Sequence, residues 1–215
     1  MTDPNPSAPP PRPAQGRKAV ISRDELIAAA LTLIGPNRSV STLSLREVAR
    51  AASIAPNSFY RHFRDIDELA IALIELAGSS LRRVLSEARQ RATSGRSVVR
   101  SSLEVFMEQL NTEEGYLHLL LREGRVGSVA FKQAVDRQLV FFEEELKTDL
   151  IRLEQQNGNR LHEPGLVARG ITRLVFAMGA MAVNLPVAEQ GPLLEQTGVM
   201  LHMLLAGSRT MAGQD

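Results

Sequence analysis

The run "SIAPNSFYRHF", residues 53–63, gathers side chains suited to a polyanion. Tyr60 and His62 come from a chain with two tyrosines and four histidines, and Asn57, Ser58 and Arg61 stand beside them. Serine, tyrosine and arginine donors commonly bond phosphate oxygens. Asparagine pairs with adenine, and arginine with guanine O6 and N7. Pro56 supplies a first helical residue whose missing N–H costs nothing there. Phe59 and Phe63, one turn apart, are apolar anchors. The spacing predicts a short helix to about Phe63 that buries its phenylalanines and offers Asn57, Ser58, Tyr60, Arg61 and His62 to a partner. Arg46, on the preceding segment that Ser44 opens, would approach a base or its phosphate. The competing reading, in which Tyr60 and His62 only cover a helix junction, is weaker in these basic surroundings.

Charge supports a polyanion at this end. From residue 12 to residue 64, Arg12, Arg17, Lys18, Arg23, Arg38, Arg46, Arg50, Arg61 and Arg64 outnumber Asp24, Glu25 and Glu47. The whole chain carries only +1, so the remainder is mildly acidic. A basic segment on an acidic body fits a polyanion partner for the first part alone. Lys18, with Arg12 and Arg17, ends the Pro-rich stretch "MTDPNPSAPPPRPAQG", whose composition is that of a disordered arm able to reach a phosphate backbone.

Other chemistry is poorly supplied. The chain has no cysteine, so it makes no disulfide or thiolate metal site, and a reducing cytoplasm is the natural compartment. It holds neither a Gly-rich phosphate loop nor H-E-x-x-H. Glu114 and His118 stand four apart, a spacing more often a surface contact than a metal site. His162 and His202 lack ligand-spaced neighbours. Glu143, Glu144 and Glu145 point to three faces of a helix and read as its solvated side. These features predict no catalytic residues, no metal and no resident cofactor. No apolar run looks long enough to cross a membrane, and the N-terminus has no apolar signal core.

Helices must position the run. Ser22 and Glu25 form a capping box flanked by Ile21 and Leu26, and the stripe Leu26, Ile27, Ala30, Leu31, Ile34 ends at Gly35-Pro36. Ser44 and Glu47 repeat the device, flanked by Leu43 and Val48. After Ser53-Ile54-Ala55, Pro56 opens the third helix, and Asp65 with Glu68 caps a fourth that runs towards Arg91. Two short helices joined by a tight turn, with a longer helix on either side, make a helix-turn-helix unit. Beyond residue 95, apolar residues recur at helical steps over 97–110, 114–123, 131–156, 166–185 and 193–205. The fold class is all-α: an arm (1–19), a three-helix DNA-binding domain (20–68) and a larger helical domain (69–211). With 44% hydrophobic residues, the chain can fill both cores.

The stretch "SLREVARAASIAPNSFYRHFRDIDELAIAL" resembles the DNA-binding domain of TetR-family transcriptional regulators, in particular the branch that represses bacterial fatty-acid synthesis and desaturation genes. The similarity is dense over residues 44–69 and thins in "LLLREGRVGSVAFKQAV". It implies phosphate contacts from Tyr60 and His62, a major-groove position for Asn57 and Ser58, and a base or phosphate for Arg46. One departure stands in the turn, where the family usually has glycine and this chain has Ser53. The resemblance also implies a homodimer through the last two helices, a palindromic double-stranded operator, no membrane, and residence in the bacterial cytoplasm, at the nucleoid when bound to DNA. A lipophilic effector such as a long-chain acyl-CoA would be its only small molecule. Phe106, Leu110, Leu117, Leu121, Phe131, Val135, Leu139 and Phe142 offer apolar surface for an acyl chain, and Arg122 and Arg125 for a charged head. "FAMGAMAV", residues 176–183, is small and Met-rich enough to pack against Leu193, Val199, Leu201, Met203 and Leu204 of a second copy. Two other readings stand: a TetR-type regulator of efflux that senses another lipophile, and a helical enzyme or adaptor with an incidental basic domain.

Overall fold

The computed structural model describes residues 21–34, 38–91, 95–112 and 115–214; the side chains of residues 91 and 95–97 are not described. The arm, Gly35-Pro36 and Glu114 lie outside those residues. Among them the regular structure is helical throughout. Helix α1 (Arg23–Leu31), a 3-10 turn η1 (Val40–Thr42), α2 (Leu45–Ala51) and α3 (Pro56–Phe59) form a small head. Helix α4 (Ile66–Arg91) leads from it into the body. The body is α5 (Gly95–Leu110), α6 (Tyr116–Val126), α7 (Val129–Gln156), α8 (Pro164–Ala182) and α9 (Val187–Ala212).

The helix starts follow from their caps. Ser22 accepts from the Glu25 amide while Glu25 accepts from the Ser22 amide, and Ser44 and Glu47 reciprocate in the same way. At α4, Asp65 accepts from the Glu68 amide, but Glu68 turns back to the Arg64 amide at 2.8 Å rather than to Asp65. Each exchange satisfies backbone donors that a helix start leaves unpaired. Helix α3 ends sooner than its sequence pattern suggests. Arg61 and His62 donate to carbonyls three residues back, so the chain tightens to Phe63 instead of continuing as α-helix. Helix α9 starts earlier than expected: Val187 opens it and Pro192 lies inside. There a proline leaves one carbonyl of the first turn unpaired without breaking the helix.

One continuous core runs from head to body, from Leu26, Val48, Phe59 and Phe63 through Leu69 and Leu73 to Leu120, Phe131 and Phe142. Because α4 supplies residues to both ends, head and body share its packing. A second core, Leu150, Val167, Ala168, Ile171, Leu201 and Leu205, fastens α7, α8 and α9. Helix α8 is long and apolar enough to cross a membrane, contrary to the sequence expectation. Here Val167, Ile171, Phe176 and Ala182 of α8 are buried in these two cores. Glu143 also departs from expectation. It is buried and held by Arg173 at 2.8 Å and Arg169 at 3.5 Å, so only Glu144 of that triplet is fully on the solvated side.

Candidate nucleic-acid interface and effector cavity

The turn before α3 is a Schellman closure of α2. The Ile54 amide donates to Ala49 O at 2.9 Å and the Ser53 amide to Arg50 O at 3.0 Å. This closure requires a left-handed residue between them, usually glycine. Ser53 takes that place with φ 54°. Ile54 is then drawn against the core, and Ala55 turns the chain into Pro56, the first residue of α3.

Phe59 and Phe63 are both buried, with ring centroids 5.6 Å apart, and Tyr60 meets the edge of Phe59 at 5.8 Å. The guanidinium of Arg23 lies 4.8 Å from the Phe63 ring centroid and ties α1 to the end of the turn. With its phenylalanines inward, this segment leaves Pro56, Asn57, Tyr60 and Arg61 exposed, Tyr60 at 60%, while Ser58 and His62 are half-buried. His62 Nε2 is buried without a hydrogen-bond partner among the described residues. Arg46 is exposed on α2. The Ser44 hydroxyl is committed to its cap, donating to Glu47 Oε2 at 2.8 Å and accepting from the Glu47 amide. Lys18 lies outside the described residues.

Electrostatics at the head favour a firmly ionised frame. The Ser44 hydroxyl and then Arg38 hold the Glu47 carboxyl below its ordinary range. The Ser22 backbone and side chain do the same for Glu25, and the Arg64 backbone and side chain for Glu68. Each carboxylate is spent on a helix start, which leaves Arg46 and Arg61 without a described acidic partner on the outer surface.

The body holds a small, partly open apolar cavity of about 60 Å³. Its walls come from α4, α5, α7, α8 and α9: Leu85, Val98, Val99, Leu103, Phe106, Phe142, Leu146, Ile171, Val175, Phe176 and Leu201, with Arg89, Ser102 and Thr172 as the polar members. Phe176 meets Phe106 edge-on at 5.5 Å and Phe142 at a tilt at 5.4 Å. Arg89 is buried and neutralised by Asp149 at 2.6 Å and Glu145 at 3.4 Å. Ser102 Oγ is buried with no partner among the described residues.

Of the residues expected to hold a ligand, Phe106 and Phe142 line this cavity. Leu110, Leu117, Leu121, Phe131, Val135 and Leu139 are buried in the shared core and are not among its lining residues. Arg122 and Arg125 line a separate pocket with His118, Leu121, Val126, Ala180, Val183 and Asn184, where Arg125 donates to Ala180 O. His118 Nε2 lies 2.6 Å from Leu110 O, and the described residues contain no cluster able to hold a metal. Arg89 and Ser102 escaped sequence reasoning. Their signal is a polar residue continuing an apolar helical stripe, Leu81-Leu85-Ala88-Arg89 on α4 and Val98-Val99-Ser102-Leu103-Phe106 on α5.

A capped helix-turn-helix with an exposed polar second helix, joined to a larger helical body, is the architecture of a DNA-reading head on a separate helical domain. Residues 26–73 match the family of bacterial regulatory proteins of the tetR type. The Escherichia coli protein NemR, in its reduced form, superposes with a TM-score of 0.68 at 18% identity, covering 85% of this chain and 96% of that one. A TetR-family regulator from Pectobacterium atrosepticum gives 0.68 at 19% identity over 87% and 93% of the two chains. The fatty acid degradation regulator FadR from Bacillus halodurans gives 0.66 at 16% identity over 91% and 99%. Residues 26–73 thus match the TetR-type DNA-binding domain, and the chain as a whole shares the fold of these regulators.

Proposed function

We propose that the protein is a homodimeric repressor of lipid-metabolism genes that reads a palindromic operator and responds to a long-chain acyl thioester or similar lipophile. The observation that carries the effector is the lining of the cavity, whose volume of about 60 Å³ must widen to take an acyl chain. Apolar walls with a few placed polar groups suit a lipophilic ligand, and the unpartnered Ser102 hydroxyl is a donor for its carbonyl. The similarity to a fatty acid degradation regulator points the same way. On DNA, Tyr60 and His62 contact phosphates, Asn57 and Ser58 enter the major groove, and Arg46 reaches a base or its phosphate. The ligand acts by binding more tightly to one spacing of the two heads than to the other.

Native mass spectrometry with palmitoyl- and oleoyl-CoA, paired with gel shifts on DNA from the gene's own upstream region, tests the reading. One acyl chain should bind per protomer and change operator affinity. Absence of acyl binding removes the lipid assignment, and operator binding that survives both Tyr60→Ala and Arg46→Ala removes the assigned DNA contacts.

A further inference from the structure

Glu123, on α6 of the body, is wholly buried at 0% exposure among Leu119, Leu120 and Leu121. Its Oε1 accepts from the backbone amide of Val40 at 3.0 Å, in η1 of the head, across a sequence separation of 83. Val40 is itself buried, and η1 leads through Leu43 and Ser44 into α2. The second oxygen, Oε2, is buried without a hydrogen-bond partner among the described residues. Room for the carboxylate comes from Gly127, where an added Cβ would lie 2.9 Å from Oε2 and 2.5 Å from Glu123 O.

A buried carboxylate with one hydrogen bond is costly for its second oxygen, while leucine there would instead leave the buried Val40 amide without its acceptor. What the carboxylate adds is direction, since an amide–carboxylate bond fixes two segments in one relative orientation. We propose that Glu123 is a positioning residue for DNA reading, whose bond to the Val40 amide fixes the angle of the helix-turn-helix head on the body. The DNA part rests on the head being the DNA reader; the tie itself does not.

Full-length Glu123→Leu, Glu123→Gln and Val40→Pro chains test the tie. Val40→Pro deletes the donor and leaves the carboxylate in place. Ser39 has φ −75° and ψ 145°, a conformation a residue before proline adopts, and position 40 opens its turn, where proline is accommodated. Glu123→Gln keeps a carbonyl acceptor. The natural chain has no cysteine, so spin labels at Ala51→Cys on the head and Lys132→Cys on the body are the only ones present. In protein diluted with unlabelled chains, pulsed EPR should give a narrow head–body distance in wild type and Glu123→Gln, and a broadened one in Glu123→Leu and Val40→Pro. Exchange of the Val40 amide should accelerate about tenfold or more in Glu123→Leu, while the bonded Leu43 and Val48 amides stay slow. Affinity for an operator selected from random DNA should fall about tenfold in Glu123→Leu and Val40→Pro, with an unchanged salt slope because phosphate contacts are untouched.

Narrow distances in both Glu123→Leu and Val40→Pro, with Leu43 and Val48 still protected, would overturn the proposal and leave Glu123 a packing residue. Should Glu123→Leu fail to fold, Val40→Pro decides. If wild type selects no operator, the DNA-reading assignment fails while exchange and distance still judge the tie.

Discussion

Ser53 holds a left-handed backbone at φ 54° because the Schellman closure of α2 leaves no other conformation for the residue just before Ile54. Serine pays for its Cβ in that region, whereas glycine does not. Ser53→Gly should stabilise the head by about 1 kcal/mol, offset in part by the freer unfolded chain, and thermal denaturation measures it. A lower melting temperature would mean that the serine side chain has a role in the turn beyond its backbone. Beyond the turn, the outward residues divide by what they would read. Tyr60→Ala should weaken binding to operator and random DNA alike, since a phosphate contact carries no sequence information. Asn57→Ala should instead cost about 1–3 kcal/mol of discrimination at a single base pair and relax selectivity there. Competition binding against a panel of single-base operator variants separates the two outcomes. The outward placement of Asn57 and Tyr60 was legible in the sequence, because Phe59 and Phe63, four apart, fix which side of so short a segment faces inward. The 3-10 closure at Arg61 and His62 was not, since a single tightened turn leaves no mark on the apolar spacing.

Among the elements, the starts of α1, α2 and α4 were the most readable, because a cap is a local device written in residues three apart. The reciprocal partner of Glu68 was less so, since Arg64 and Asp65 both offer an amide. These caps also set the acid response of the head. Glu25, Glu47 and Glu68 are held below the ordinary glutamate value of 4.5 by hydrogen bonds from Ser22, from Ser44 with Arg38, and from Arg64. Their contribution is complete above that value and is lost as the pH falls through the lower folded values. Stability should therefore decline on acidification below about pH 4.5, and Glu47→Gln should start lower and decline less. Circular dichroism melts at successive pH values follow this, and equal slopes in the two chains would remove Glu47 from the account. Residues of α5 were harder to read. Val98, Ser102 and Phe106 look like an ordinary buried stripe, and only the approach of α4, α7, α8 and α9 leaves a hollow in front of them. A cavity is a property of packing between distant segments, so neither it nor the burial of Glu123 is inscribed in any one of them.

For the whole molecule, the body leaves apolar side chains on α8 and α9 facing outward. Leu166 is 64% exposed, Met181 56%, Val199 55% and Met203 66%, and Leu204 is partly covered at 39%. Phe176, Gly179 and Ala182 from the Met-rich run turn inward instead, with Phe106 pressed on Gly179, and Leu201 is buried within the chain. The outer stripe is thus narrower than the sequence alone implied, and Val199 and Met203, four apart on α9, form its ridge. A symmetric dimer would bury this ridge against its own copy, since a two-fold interface uses the same patch on both partners. A charge placed there is stranded without a partner in the dimer but remains solvated in the monomer. Val199→Glu with Met203→Glu, two like charges that cannot pair with each other or with their copies, should therefore yield folded monomers in light-scattering measurements, with an unchanged helical signal. Affinity for a two-half-site operator should then fall by orders of magnitude towards that of one head, because the second contact is no longer intramolecular. A half-site duplex should bind the variant and wild type alike. A double variant that stays dimeric would move the interface elsewhere on the body and leave this stripe to another partner.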